Sequence, residues 1–128
     1  MAEDIDRDQV AYITIVEGPP PQFKPAEQLW VASLAEGPVP TFVASCDMRT
    51  FNGPGLVERC RRAWAEGRPA RLNYPVRHAP YAPASTRAEI EIIAARWSQV
   101  KEGQVLTLWV RTEHAEQLIT DEDQPNEL

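Results

Sequence analysis

The side chains with reactive chemistry to offer are few. His78 and His114 are the only histidines, and Cys46 and Cys60 the only cysteines. Neither histidine stands at ligand spacing from the other or from a cysteine, which argues against a zinc centre. No Ser or Cys occupies a nucleophile turn. Gly53-Pro54-Gly55 has the outline of a phosphate cradle, but no Gly-Lys-Ser/Thr follows it and Pro54 has no N–H to donate; it reads most simply as a helix start. Glu89 and Glu91 project from one face of a strand. With Arg71, Arg77 or Arg96 nearby both stay ionised, unlike an acid–base pair whose pKa values are pushed apart. The sequence therefore predicts no catalytic residues, no metal and no cofactor.

The cations carry the remaining signal. Eleven of the 13 basic residues are Arg, whose planar fork suits bidentate phosphate contacts and stacking on rings. The net charge of −6 argues by itself against a protein that coats nucleic acid. Its distribution is uneven: residues 1–48 carry −6, residues 49–96 carry +5 and residues 97–128 carry −5. The excess of Arg is open to a second explanation, a preference for Arg codons. Arg71 and Arg77 fall on the polar face of one predicted strand, and Arg87 and Arg96 flank the next. If those strands pair, four guanidinium groups line one surface; the alternative is a solvated face with ion pairs to Glu89 and Glu91. Arg59, Arg61 and Arg62 form a second patch, on a helix, which could equally meet the acidic C-terminal tail.

The elements that position these residues follow from hydrophobic period and from Gly/Pro punctuation. Residues 1–9 are acidic and aperiodic, which predicts a flexible N-terminus. Val10–Val16 is a β-branched strand. The proline-rich run 17–25 reads as an extended loop, Gln28–Ala35 as a second strand, and Glu36–Pro40 as the turn into a third over Thr41–Met48. In that third strand Phe42, Ala44, Cys46 and Met48 are expected to face the core. Pro54–Glu66 is an amphipathic helix with Leu56, Val57, Cys60, Ala63 and Trp64 on its apolar stripe, and Gly67 is placed to end it. Ala70–Arg77 alternates, with Pro75 suggesting an edge or a bulge. Residues 78–87 form a loop with Tyr81, and Ala88–Trp97 is a strand in which Ile93 breaks the alternation as a bulge would. A turn at Lys101–Gly103 leads to a last strand, Gln104–Val110. One domain over 10–112 is expected, with a short helix or acidic tail over 113–128. The two cysteines read as buried thiols acting as small apolar groups, although a pairing between them depends on backbone separations the sequence does not give.

A helix between the third and fourth strands of a mainly β chain resembles the OB-fold, and specifically the bacterial single-stranded DNA-binding protein family. The resemblance runs from about Leu29 to Trp97. It rests on the arrangement of Phe42–Met48, a helix from near Gly55 to Glu66-Gly67, the strand Ala70–Arg77, and Glu89–Ile93; the acidic run 121–128 is similar in charge to that family's tails. The resemblance implies a mainly β, OB-like barrel of five to six strands with one helix between strands 3 and 4. It also implies a ligand, single-stranded DNA or RNA, held by bases stacked on exposed aromatics while cations follow the phosphates. Arg71, Arg77, Tyr81, Arg87 and Arg96 are the residues expected to bind it. Tyr81 is equally readable as a loop tyrosine covering the barrel end, and Tyr74, which shares a face with Leu72 and Val76, as core.

Two functional classes follow: a single-stranded nucleic-acid-binding module without catalytic activity, or a protein-interaction or structural module of a larger assembly. An exposed last strand over Gln104–Val110 would allow edge-to-edge pairing into a homo-oligomer. No apolar run approaches the roughly 18 residues of a membrane span, and the acidic start is unlike a signal peptide, so a cytoplasmic location with no membrane partner is expected.

Overall fold

A computed structural model describes residues 9–16, 20–25, 38–76 and 87–119. The predicted strand over 28–35, Arg77, Tyr81 and both chain ends lie outside these residues. The described chain is mainly β, with strands β1 (Ala11–Thr14), β2 (Lys24–Pro25), β3 (Phe42–Thr50), β4 (Ala70–Pro75), β5 (Arg87–Val100) and β6 (Gly103–Thr112). Helix α1 (Gly53–Ala65) connects β3 to β4, and a short 3-10 helix covers Ala115–Leu118.

Both ends of α1 are fixed by local chemistry. Asn52 caps the start, its Oδ1 accepting from the Gly55 N–H at 3.1 Å, while Pro54 supplies a helical φ without leaving a donor unpaired. At the other end Gly67 takes φ 74°, and its N–H and that of Arg68 bond back to Trp64 (3.0 Å) and Ala63 (2.7 Å). This is the double closure that a left-handed glycine makes possible. Val57, Cys60 and Ala63 of the predicted stripe are buried, while Leu56 and Trp64 pack at its margin.

The six strands form one mixed sheet in the order β1-β4-β5-β6-β3-β2. β1 runs parallel to β4 and every other neighbour is antiparallel. The expected barrel is not closed among the described residues: β1 and β2 are the outer strands, and β2 contributes only two pairs. The sheet nevertheless curls. Phe23, next to β2, meets Tyr74 of β4 edge to face at 5.5 Å between ring centroids, whereas four strand spacings in a flat sheet would be roughly 19 Å. The concave side holds the core, including Ala44, Cys46, Leu72, Ile90, Ile92, Leu106, Leu108 and Val110 with α1 against them.

Three expectations change. β6 is not an exposed edge but lies in the middle of the sheet between β5 and β3, so its own backbone groups are consumed by two ladders and cannot recruit a second copy. At the start of β3, Phe42 is 44% exposed while Val43 is buried; Phe42 belongs to the first pair of its ladder, opposite Thr112, at the rim of the core. β5 extends three residues past the expected end at Trp97, while the break in alternation at Ile93 is the expected bulge, with the register shifting between Ile92 and Ala94.

Candidate binding surface

β4 and β5 do pair, antiparallel, as a shared cationic face would require. The register, however, sets Arg71 opposite Glu91 and Asn73 opposite Glu89, so carboxylates alternate with the guanidinium groups. Glu89 receives Arg71 at 3.7 Å, the Tyr12 hydroxyl at 3.2 Å and the Asn73 amide at 3.3 Å. Arg111 on β6 pairs with Glu91 at 3.0 Å. Arg87 donates to the Asn73 side chain and to the Ile15 carbonyl, fastening the chain after β1 to β4 and β5. Arg96 lies further along β5 with its guanidinium 5.9 Å from the Trp109 ring centre. Of the expected binding residues, then, Arg71 and Arg87 serve intramolecular polar networks, Arg96 stacks on a tryptophan, and Arg77 and Tyr81 lie outside the described residues.

A different grouping forms where α1 begins. Thr50 ends β3 opposite Gln104 of β6, and Gln104 in turn pairs with Gln99 of β5. Gln104 Oε1 accepts from the Gly53 N–H at 2.7 Å, which ties the start of α1 to this end of the sheet. Phe51 projects from the connection fully exposed, and Trp97 of β5, in a row with Leu106 and Met48, is 40% exposed. An open groove of about 600 Å³ runs between the helix residues Pro54, Val57, Glu58 and Arg61 and the strand residues Arg96 and Trp97. Arg61 and Lys101 make no hydrogen bond or ion pair among the described residues, and Arg49 reaches the Glu102 carbonyl at 3.2 Å. Glu58 is the one carboxylate in the groove lining. The groove thus sets one half-exposed indole between two guanidinium groups, Arg61 and Arg96, in a largely polar lining; rings can stack on the first and anions pair with the second.

The start of α1 is not a phosphate cradle. Its first N–H goes to Gln104, Pro54 has none, the Gly55 N–H goes to the Asn52 side chain and the Leu56 N–H to the Asn52 carbonyl at 3.1 Å. Cys46 and Cys60 are free and fully buried. Burial pushes the Cys46 thiol up to about 12, with Asp47 adding to it, and burial pushes Cys60 up to about 11 against a lowering influence from Arg59. Neither is a poised nucleophile. Among the described residues no three His, Cys, Asp or Glu side chains gather as a metal site would need, and no helix is long and apolar enough to cross a membrane.

Phe51 and Trp97 are not among the residues expected from the sequence to bind a ligand. The bulge at Ile93 was the signal that Trp97 shares the core-side row of Leu106 and Met48; its partial exposure follows from its place where β4 no longer flanks β5. Comparison of the chain with protein-family models, with curated proteins and with solved structures finds no match.

Proposed function

We propose that this chain is a single-stranded nucleic-acid-binding module of OB-like character without catalytic activity, and that its ligand lies across the Trp97 end of the sheet. The observation that carries the proposal is the exposure of Trp97 in a groove with Arg61 and Arg96 in its walls, with Phe51 exposed in the connection that leads into α1. Single strands bind where bases find aromatic faces and phosphates find cations, each stacked base contributing roughly 1–3 kcal/mol. The OB-like reading of the fold rests on the helix between β3 and β4 and on the curl that brings Phe23 onto Tyr74. In this proposal Arg96 keeps the binding role expected of it, joined by Arg61, Arg49 and Lys101; Arg77 and Tyr81 remain candidates, and Arg71 and Arg87 contribute less because their donors are engaged.

The test is a fluorescence-anisotropy titration of a labelled oligothymidylate against the wild type and Trp97→Ala/Phe51→Ala over a range of salt concentrations. Two to four phosphate contacts predict that log K falls with log salt at a slope of about −1.4 to −2.8. The double variant is expected to lose at least tenfold in affinity. Absence of binding at low salt refutes the proposal. The alternation of Arg71, Glu91 and Arg111 across β4, β5 and β6 favours a second reading, a protein-interaction module, because matched charges neutralise phosphate attraction while still fixing the register of a protein partner.

A further inference from the structure

β4 ends its pairing with β5 at the Arg71–Glu91 pair, yet β5 continues to Val100. Beyond the bulge that follows Glu91, residues 94–100 pair with β6 on one side only. No loop backbone or side chain among the described residues bonds to the other side of Ala94–Ser98. This stretch therefore presents an unpaired strand edge, and the edge borders the groove that holds Trp97 and Arg61. In an antiparallel ladder each alternate residue turns its N–H and its C=O to the same side. Every second residue of this stretch thus offers one donor and one acceptor, side by side, to whatever occupies the groove.

We infer that this edge reads nucleobases through their Watson–Crick faces: a base stacked on Trp97 completes the ladder that β4 leaves unfinished. The inference rests on the single-strand reading above and adds to it the chemistry of selection. Thymine presents N3–H beside a carbonyl, adenine N1 beside an amino group, guanine N1–H beside O6 and cytosine N3 beside an amino group. Each is an adjacent donor and acceptor, the complement of one edge-facing residue. Three consequences follow. Recognition is tolerant of sequence, because all four bases carry such a pair. It is selective for single strands, because in a duplex these atoms are consumed by the opposite strand. The reading of the base edge is done by main-chain groups, while the side chains of Trp97 and Arg61 supply the stacking surface and the phosphate contact.

The test uses the full chain, labelled with 15N, and three probes of equal length: oligothymidylate, the same oligomer built from N3-methylthymidine, and the oligothymidylate–oligoadenylate duplex. N3-methylation removes the donor while leaving the ring able to stack and the charge unchanged. The expected result is a loss of at least tenfold in affinity for both the methylated oligomer and the duplex. Amide shifts and slowed hydrogen exchange should appear within residues 94–99 on adding oligothymidylate but not the methylated oligomer. Oligothymidylate binding that is unaffected by methylation, or that leaves amides 94–99 unperturbed, overturns the inference while the single-strand reading stands. Failure of all three probes to bind overturns both.

Discussion

Gly53 is the point at which the sheet, the helix and the candidate surface meet, and adding one methyl group there tests all three. A Cβ at this position would lie 2.7 Å from Trp97 Cβ, 3.1 Å from Trp97 Cγ and 3.3 Å from Gln104 Oε1. Trp97 Cβ is anchored to β5 and cannot swing aside as the tip of a long side chain would. Gly53 has no positive φ, so the cost is steric and not conformational. Forcing an extra methyl into a packed site costs about 1–3 kcal/mol, and replacing glycine at a helical position returns at most about 1 kcal/mol. Gly53→Ala is therefore expected to lose up to about 2 kcal/mol of stability, read as a lower urea midpoint with unchanged slope. The same clash displaces Trp97 or loosens the Gln104–Gly53 hydrogen bond, so oligothymidylate affinity falls in the same variant. Gly55→Ala is the control. The three atoms nearest its added Cβ all belong to the side chain of Asn52, which can rotate away at the expense of its cap, about 1 kcal/mol, and Trp97 is not among them. A Gly53→Ala variant more stable than wild type, or a loss of binding in Gly55→Ala as large as in Gly53→Ala, would refute the reasoning.

Two further outcomes follow from the core. Phe23→Ala removes the ring that spans the concave side to Tyr74 and is expected to cost about 3–5 kcal/mol, whereas Phe51→Ala, at a fully exposed ring, should stay within about 0.5 kcal/mol of wild type; urea unfolding of the pair checks both, and comparable losses would contradict the curl. The buried thiols set an alkaline limit. Their folded pKa values, about 12 for Cys46 and about 11 for Cys60, exceed the ordinary 9.0, so the unfolded chain gives up protons that the folded chain keeps. Stability is accordingly full below pH 9 and falls as pH rises toward 11, each thiol steepening the fall by about 1.4 kcal/mol per pH unit; Tyr74, raised by burial, adds in the same direction at higher pH. Urea midpoints between pH 7 and 10.5 should show a steeper decline in wild type than in Cys46→Ala/Cys60→Ala, and identical slopes would mean that the thiols are not shielded as described.

How far the fold was legible depended on whether its cause was local. The helix was legible because its start and stop are chemical: Asn52 and Pro54 at one end, Gly67 at the other. β3, β4, β5 and β6 were legible from alternation, and the bulge from a single misplaced isoleucine. What the sequence did not carry was pairing. Nothing in Ala11–Thr14 distinguishes a strand that lies parallel to β4 from one that pairs antiparallel with a neighbour, and nothing in Gln104–Val110 distinguishes the middle of a sheet from its edge. Those choices depend on which apolar faces close over the same core, a property of the whole chain.

The intramolecular engagement of the expected cations was not legible for the same reason. Arg71 and Arg87 attracted attention because they are arginines near arginines in sequence, but register placed a carboxylate or an amide beside each. Arg61 and Lys101 are separated by 40 positions and come to the same end of the sheet only because α1 starts beside the β5–β6 hairpin. Charge clustering along a chain therefore predicts where cations are plentiful, while the topology decides which of them keep their donors free. Here Arg61 and Lys101, which make no hydrogen bond or ion pair among the described residues, lie on α1 and in the β5–β6 turn, at the end of the sheet where β5 outruns β4 because β4 begins only at Ala70. Deleting Ile93 should re-register everything that follows it, turning Trp97 to the outer face and Arg96 toward the core. Oligonucleotide binding that survived this deletion in a chain still folded by circular dichroism would show that the surface does not depend on that arrangement.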